Sequence, residues 1–278
     1  MSGNAVGNVM KIRGDLALEI ATSIIKTIHI KYPNAKIQPF GSTGKKGKNQ
    51  YSGDIDLGIE LPYIEIENLN DWFVHQNIKT NILKSLHILS IAWPIENHNF
   101  IQCDIMFVPN IETANFFYHS PNYKKNESKF KGFVRNVLMF DILKAKKVPN
   151  EILKFFPDGK LRVFQKYSIK PDMGIVLMTQ SYEGKSGQRT STKHTISCVP
   201  LRITKPELMA QFILGKDGTL EDTNSFESLW KYIYSHYDKK TISIIYNWFL
   251  EDLKTACSKD MDIYVKSIKW IKNFEKFR

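Results

Sequence analysis

The residues whose types and spacing best suit chemistry are Asp54 and Asp56, which alternate with apolar residues in the stretch 52–60. In a β-strand alternate side chains share a face, so these two carboxylates lie side by side while Ile55 and Leu57 point into the core. Two carboxylates about 4 Å apart repel by roughly 4 kcal/mol at an effective dielectric constant of about 20. Such a pair requires a shared proton or a divalent cation, and carboxylate oxygens are ligands that suit Mg²⁺.

Gly41 and Ser42 directly follow a short apolar run, residues 37–40. This pattern predicts the end of a strand and a tight turn, a place where backbone N–H groups can approach an anion closely. The sequence therefore predicts a phosphate-binding turn and a metal site within one short segment.

The loop that joins this turn to the two aspartates is basic, with Lys45, Lys46 and Lys48 placed around two glycines. One interpretation is a solvated surface loop, which is the usual role of a lysine run. Its position between a phosphate-binding turn and a metal site favours the other interpretation, contact with a triphosphate or a nucleic acid.

Asp104 lies in the middle of the β-rich run 99–109. Alternation places Gln102, Asp104 and Met106 on one face, opposite a purely apolar face that begins at Ile101. Asp104 is then a hydrogen-bonded structural acid, a residue on the wet face of a strand, or a third carboxylate beside Asp54 and Asp56. Its polar face favours the third interpretation, in which the two strands are neighbours.

The order Gly41-Ser42, then Asp54 and Asp56 in SGDIDL, then Asp104 in QCDIMF, resembles the nucleotidyltransferases of the DNA polymerase beta superfamily. This superfamily includes template-independent enzymes such as poly(A) polymerases and CCA-adding enzymes. The resemblance covers roughly residues 35–110. The loop between the turn and the aspartates is slightly longer and more basic than in the compact form of the motif.

The resemblance implies a mechanism with a nucleoside triphosphate as substrate and two Mg²⁺ ions, for which Mn²⁺ is a possible substitute. Asp54 and Asp56 would hold both ions, and Asp104 would complete one ion's site and help to activate the attacking hydroxyl. Gly41 and Ser42 would bind the β- and γ-phosphates.

A basic segment enters a helix predicted from Ser128 to about Lys147. Lys131 and Arg135 are four residues apart and therefore expected on one helical face. They are either solvated charges or, as the resemblance implies for the helix after the catalytic sheet, contacts to phosphate.

Periodicity predicts helices over 8–32 and 68–84 and strands over 36–40, 54–61, 86–95 and 99–109. We expect an α+β protein: a polymerase-beta-like core with a mixed or antiparallel sheet and helices, followed by an α-rich region with a small β insertion. The expected catalytic domain is 1–148, and the expected acceptor-binding domain is 149–278.

The second region should begin with strands over 160–182 that turn near residues 170–172, followed by a strand over 196–203. The segment 183–194 lacks apolar residues and is predicted to be a flexible loop. Its Lys185, Arg189 and Lys193 are candidates for nucleic-acid contact. Helices are expected over the remainder of the chain.

The composition is basic: 39 Lys and Arg residues against 28 Asp and Glu residues give a net charge of +11. This charge favours a polyanionic partner, with nucleic acid first, over a merely lysine-rich surface. Three widely spaced cysteines and the absence of an apolar run of ~20 residues predict a cytoplasmic protein with reduced thiols and no membrane span. The Lys, Asn and Ile usage would fit an AT-rich genome, for example a viral one.

These observations leave three functional hypotheses. The first is a template-independent nucleotidyltransferase that adds NMP to the 3′ end of RNA. The second is the same chemistry on a protein or small molecule, and the third is a nucleic-acid-binding module without catalysis. The third is disfavoured, because three converging carboxylates are costly to keep without a metal.

Overall fold

The polypeptide divides into two units, Met1–Gly132 and Phe133–Arg278. The computed structural model describes residues 5–96, 98–148, 154–155, 161–183, 192–258 and 260–276. The division falls after the first residue of helix α4 (Gly132–Ala145), whereas the sequence pattern predicts a boundary after residue 148.

The first unit is built on a mixed five-stranded sheet. Its strands in chain order are β1 (Ile12–Arg13), β2 (Lys36–Pro39), β3 (Tyr51–Ser52), β4 (Asp54–Glu60), β5 (Thr80–Leu83), β6 (Ile88–Ile95) and β7 (Asn99–Val108). The spatial order is β2-β4-β7-β6-β5, and β1 and β3 form a separate two-stranded ribbon. The β4–β7 pair is parallel, and the other pairs of the five-stranded sheet are antiparallel.

Three helices accompany this sheet: α1 (Ala17–Lys31), α2 (Glu65–His75) and α3 (Ile111–Tyr118). The main core joins apolar residues of α1 and α2 to those of one sheet face, including Ile55, Leu57 and Cys103. A smaller cluster joins Phe40 to residues of α3. Alternation in β4 therefore directs Asp54 and Asp56 away from the main core, as the sequence predicts.

The helices of the first unit differ from the predicted elements. Helix α1 begins at Ala17 and not at residue 8, because residues 12–13 pair with 51–52 and Gly14 packs closely on the loop carbonyl of Gly47. Helix α2 ends at His75, where the left-handed backbone of Asn77 (φ 59°) allows the chain to turn into β5. Helix α3 was absent from the prediction and is capped by the Asn110 side chain.

The second unit contains α4 and a four-stranded antiparallel sheet of order β11-β10-β9-β8. Its strands are β8 (Lys154–Phe155), β9 (Leu161–Lys170), β10 (Gly174–Glu183) and β11 (Thr192–Ile203). Its remaining helices are α5 (Pro206–Leu214), α6 (Phe226–His236), α7 (Lys239–Ala256) and α8 (Met261–Lys276). The predicted hairpin turn between β9 and β10 is confirmed, and so is the α+β class.

The aromatic residues of the C-terminal helices form the interior of the second unit. Phe226 stacks on Phe249 at 5.3 Å between ring centroids, and Trp230 is completely buried. No helix in the described part of the chain is both long and apolar enough to cross a membrane. All three cysteines are free thiols.

Gly58 provides a test of the packing beside the aspartates, on their own face of β4. A Cβ at Gly58 would lie 2.1 to 2.7 Å from three atoms of the Phe40 ring, and this ring is only 1% exposed. We expect Gly58→Ala to lower the free energy of unfolding by about 1–3 kcal/mol, since the ring has no room to move. Gly47→Ala is the matched control, because a Cβ at Gly47 meets nothing within 4 Å. Equal denaturant midpoints for the two variants would contradict this packing.

Candidate active site

The parallel pairing of β4 with β7 brings the three predicted carboxylates together. In its register Asp56 is the partner of Asp104, and Asp54 is the partner of Gln102. One carboxylate oxygen from each of Asp54, Asp56 and Asp104 lies within 4.8 Å of the others. The prediction that the Asp104 strand lies beside the Asp54 and Asp56 strand is therefore confirmed.

Two side chains that sequence reasoning did not select hold Asp104 in place. Ser90 Oγ donates to Asp104 Oδ1 at 2.6 Å, and Gln102 Nε2 donates to the same oxygen at 2.8 Å. The Gln102 amide is itself oriented, because its Oε1 accepts a hydrogen bond from the backbone N–H of Ala5 at 2.8 Å. Both side-chain donors point to Oδ1, which leaves Oδ2 for a cation or a proton.

The three carboxylates repel one another. Burial in the first place, and then the charges of Asp54 and Asp104, raise the pKa of Asp56 to about 7, although Lys46 opposes this shift. Burial also raises the pKa of Asp104, while the hydrogen bonds from Ser90 and Gln102 lower it. A cation among these oxygens would relieve the repulsion, and the all-carboxylate donor set fits a hard divalent ion such as Mg²⁺.

The turn at Gly41 packs directly against this cluster. Gly41 has a left-handed backbone (φ 57°), and a Cβ there would lie 2.6 Å from Asp56 Oδ2. Thr43 Oγ1, in the same turn, accepts a hydrogen bond from the Asp56 backbone N–H at 2.9 Å. Gly41 is thus required both for its backbone conformation and for the room it leaves beside the carboxylate. Ser42 lies between these two contacts.

Lys46 is the basic-loop residue that is electrostatically closest to the cluster. Burial lowers the pKa of Lys46; the charges of Asp54 and Asp56 raise it, and those of Lys131 and Lys11 lower it. Lys46 therefore lies near the carboxylates, and Lys131 and Lys11 lie near Lys46. Lys11 was not a candidate in the sequence, because it was predicted to be helical.

The other two lysines of the loop have different surroundings. Lys45 Nζ donates to the Ser120 carbonyl at 2.5 Å, and the Lys45 carbonyl accepts from the Lys124 backbone N–H at 2.9 Å. Lys45 thus ties the loop to the segment before α4. Lys48 is exposed. Burial raises the pKa of Asp15, the hydrogen bond and charge of Arg13 lower it, and the charge of Lys48 adds a smaller lowering.

Arg135 requires a correction. Helix α4 begins at Gly132, so Lys131 precedes it and is exposed, whereas Arg135 is 1% exposed. The Arg135 Nε donates to the Thr223 carbonyl, and its Nη1 donates to Asn136 Oδ1 at 2.9 Å. Because this guanidinium is buried and bonded to protein groups, Arg135 is not available to bind a phosphate group of a substrate. Phosphate contact by Lys131 stays a prediction.

The basic segment 183–194 falls largely outside the described residues. Lys185 and Arg189 lie outside the described residues, and Lys193 is described only by its backbone in β11. Their expected contact with nucleic acid stays a prediction.

The sequence gives a partial indication of Gln102, Ser90 and Thr43, which support the aspartates but were not among the predicted site residues. Alternation alone puts Gln102 on the face of Asp104, and the structure confirms this. Ser90 is found only from the antiparallel register of β6 and β7, in which it is the partner of Asp104. Thr43 lies beside the Gly41-Ser42 motif.

Comparison with known proteins finds similarity to solved structures. No family model and no curated protein matches this chain. Among solved structures, it is similar to a cytoplasmic RNA terminal U-transferase, with 18% identity, a TM-score of 0.29, and coverage of 53% of this chain and 57% of the other. It is also similar to Cid1, an enzyme with RNA terminal uridylyl transferase activity, with 14% identity, a TM-score of 0.29, and coverage of 51% and 52%.

A third similar structure is Cid1 poly(U) polymerase, as a variant bound to MgATP, with 11% identity, a TM-score of 0.29, and coverage of 80% of this chain and 68% of the other. The chain spans little more than half the length of the first two structures. At a TM-score of 0.29 these likenesses carry no argument about the function of this chain, which depends on the geometry of the carboxylates.

The raised pKa of Asp56 predicts how stability depends on pH in the absence of metal. Its pKa is about 7 in the folded chain against 3.8 ordinarily, so between these values the folded state holds the proton more tightly and stability falls as pH rises. In EDTA, we expect Asp56→Asn to reduce the loss of melting temperature between about pH 5.5 and about pH 8. At the higher pH, Mg²⁺ should stabilise the unsubstituted protein more than this variant.

The control is Asp71→Asn on the exposed side of α2, which should keep the full pH dependence. Thermal unfolding of the three proteins measures both effects. An unchanged pH dependence in Asp56→Asn would contradict the electrostatics described above.

Gln102 should matter for metal affinity although it is not a candidate ligand. Gln102→Leu removes the 2.8 Å hydrogen bond to Asp104 Oδ1, and loss of such a supporting contact typically weakens metal binding by ~10–100-fold. Calorimetric titration with Mn²⁺ measures this change. Gln38→Leu on β2 is the control, since Gln38 Nε2 donates to the Ile111 carbonyl and not to a carboxylate. Equal Mn²⁺ affinities for the two variants would refute a positioning role for Gln102.

Proposed function

We propose that this protein is a metal-dependent nucleotidyltransferase, which transfers NMP from a nucleoside triphosphate to a hydroxyl acceptor, the 3′ end of RNA. The observation that supports this proposal best is the convergence of Asp54, Asp56 and Asp104 within 4.8 Å, on strands paired in parallel. The Gly41 turn against Asp56 adds a place where backbone N–H groups can meet phosphate.

Asp54, Asp56 and Asp104 are the residues that would hold the metal, and we propose two Mg²⁺ ions, with Mn²⁺ as a substitute. Bound there, divalent ions would neutralise the triphosphate and lower the pKa of the attacking hydroxyl. The raised pKa of Asp56 supports this assignment, because the cluster is strained when all three carboxylates are ionised and no cation is present.

The protein's own groups then position the reactants. Ser42 and the N–H groups of its turn would bind the β- and γ-phosphates, while Lys46 and Lys131 would balance the charge of the triphosphate. Oδ2 of Asp104 would accept the proton of the acceptor hydroxyl as its oxygen bonds to the α-phosphorus. The bond from the α-phosphorus to the bridging oxygen breaks, and pyrophosphate leaves with that electron pair.

RNA is the proposed acceptor because the protein carries a net charge of +11 and a basic residue, Lys46, lies near the carboxylates. Acceptor binding is also proposed for the region 149–278. Transfer to a protein or a small molecule requires the same carboxylates, so the acceptor must be tested directly.

Asp54→Ala tests the site itself. Loss of a carboxylate that holds charge in the transition state should lower NMP transfer by at least about 100-fold, whereas the unfolding midpoint should not fall, since Asp54 is only partly buried. The assay combines Mg²⁺, each labelled NTP in turn and total cellular RNA, followed by sequencing of the RNA 3′ ends. The control is Asp71→Asn.

Unchanged turnover in Asp54→Ala would show that the active site is elsewhere. Transfer of label to protein with unlabelled RNA would replace the RNA acceptor with a protein one and leave the nucleotidyltransferase chemistry in place.

A further inference from the structure

The β1–β3 ribbon presents an aromatic and basic surface. Arg13 is the cross-strand partner of Tyr51, and Ile12 is the partner of Ser52. Directly opposed residues share a face of an antiparallel pair, and the two faces differ: Ile12 and Ser52 are buried, whereas Tyr51 is 62% exposed. An exposed tyrosine on a short strand does not contribute to a core, so its ring is available for contact with another molecule.

The ribbon is held at both ends. The Met10 backbone N–H donates to the Phe100 carbonyl at 2.9 Å, and the Gly14 backbone N–H donates to the Gln50 carbonyl at 2.7 Å. Arg13 pairs with Asp15, with 3.0 Å between Nη2 and Oδ2. The ribbon backbone is therefore held in place before any ligand binds, which lowers the entropic cost of binding.

Lys46 connects the ribbon to the carboxylates. Its Nζ donates to the Tyr51 carbonyl at 3.1 Å, and its charge interacts with those of Asp54 and Asp56. Two exposed lysines flank the ribbon: Lys11 directly precedes β1 and interacts with Lys46, and Lys48 interacts with Asp15. The surface formed by Tyr51, Lys11 and Lys48, which we call the ribbon surface, thus adjoins the candidate active site.

We propose that the ribbon surface binds the single-stranded 3′ segment of the RNA acceptor, with a base stacked on Tyr51 and phosphates at Lys11 and Lys48. Aromatic rings and flanking cations are the chemistry by which proteins bind single strands, since every base offers a π-face and every linkage a charge. A duplex would not present an unstacked base to the ring. The inference rests on the proposed function, which requires the RNA end to reach the carboxylates.

Binding can be measured apart from turnover. The probe is a short fluorescein-labelled single-stranded RNA of mixed sequence, titrated with the full chain in EDTA without NTP and followed by fluorescence anisotropy. Tyr51→Ala should weaken binding about tenfold, and Tyr51→Phe, which keeps the ring, should bind as the unsubstituted protein does. Lys11→Ala should reduce the slope of log affinity against log salt by about 0.7, the value for one phosphate contact with a single strand.

The control for lost charge is Lys26→Ala, an exposed lysine on α1, which should leave the RNA affinity and the salt slope unchanged. If Tyr51→Ala and Lys11→Ala bind like Lys26→Ala, the ribbon surface is not the RNA site. Equal affinity for a labelled acidic polypeptide, with the same loss in Tyr51→Ala, would also overturn the proposal in favour of a protein partner.

The test of the ribbon surface can be separated from the test of the proposed nucleotidyltransferase activity. Weaker RNA binding in Tyr51→Ala supports the ribbon surface even if no NTP is turned over. Conversely, NMP transfer that depends on Asp54 but is unaffected by Tyr51→Ala, in KM for RNA as well as in kcat, would reject the ribbon surface and leave the nucleotidyltransferase intact.

Discussion

The parallel pairing of β4 and β7 is the constraint on which the site depends. It makes Asp56 the partner of Asp104 on one face and places Ile55 beside Cys103 on the other. A slip of one residue in either strand would turn its acids toward the main core and its apolar residues outward. The hydrophobic core beneath the sheet and the carboxylate cluster above it therefore specify the same register.

This arrangement concentrates negative charge, and the surroundings lessen its cost in different ways. Ser90 and Gln102 satisfy one oxygen of Asp104, and Lys46 supplies a positive charge that favours the ionised form of Asp56. These groups do not remove the repulsion, since the pKa of Asp56 stays at about 7. A bound cation would relieve the remaining repulsion between the carboxylates. The electrostatic repulsion that destabilises the metal-free protein would therefore favour metal binding.

Predictions of secondary structure are correct where a local sequence pattern determines the structure, and they are wrong where a contact with a distant residue determines it. Alternation in β4 and β7 and the β9–β10 hairpin are local, and both are confirmed. The segment before Ala17 has a helical spacing of apolar residues, yet its pairing with residues 51–52 and the contacts of Met10 and Gly14 make it extended. Arg135 was misplaced because helical spacing relates neighbouring side chains but does not show which face is buried.

The sequence by itself determined the three aspartates, the glycine-containing turn, the α+β class and the basic character, because residue type and a two-residue period are readable without any distant contact. Only the tertiary structure decided that Asp104 lies next to Asp56, that Ser90 and Gln102 hold it, and that Lys46 bonds to the Tyr51 carbonyl of the β1–β3 ribbon. These relations join residues that are far apart in the chain. They follow from strand order and register, which depend on the packing of the whole first unit.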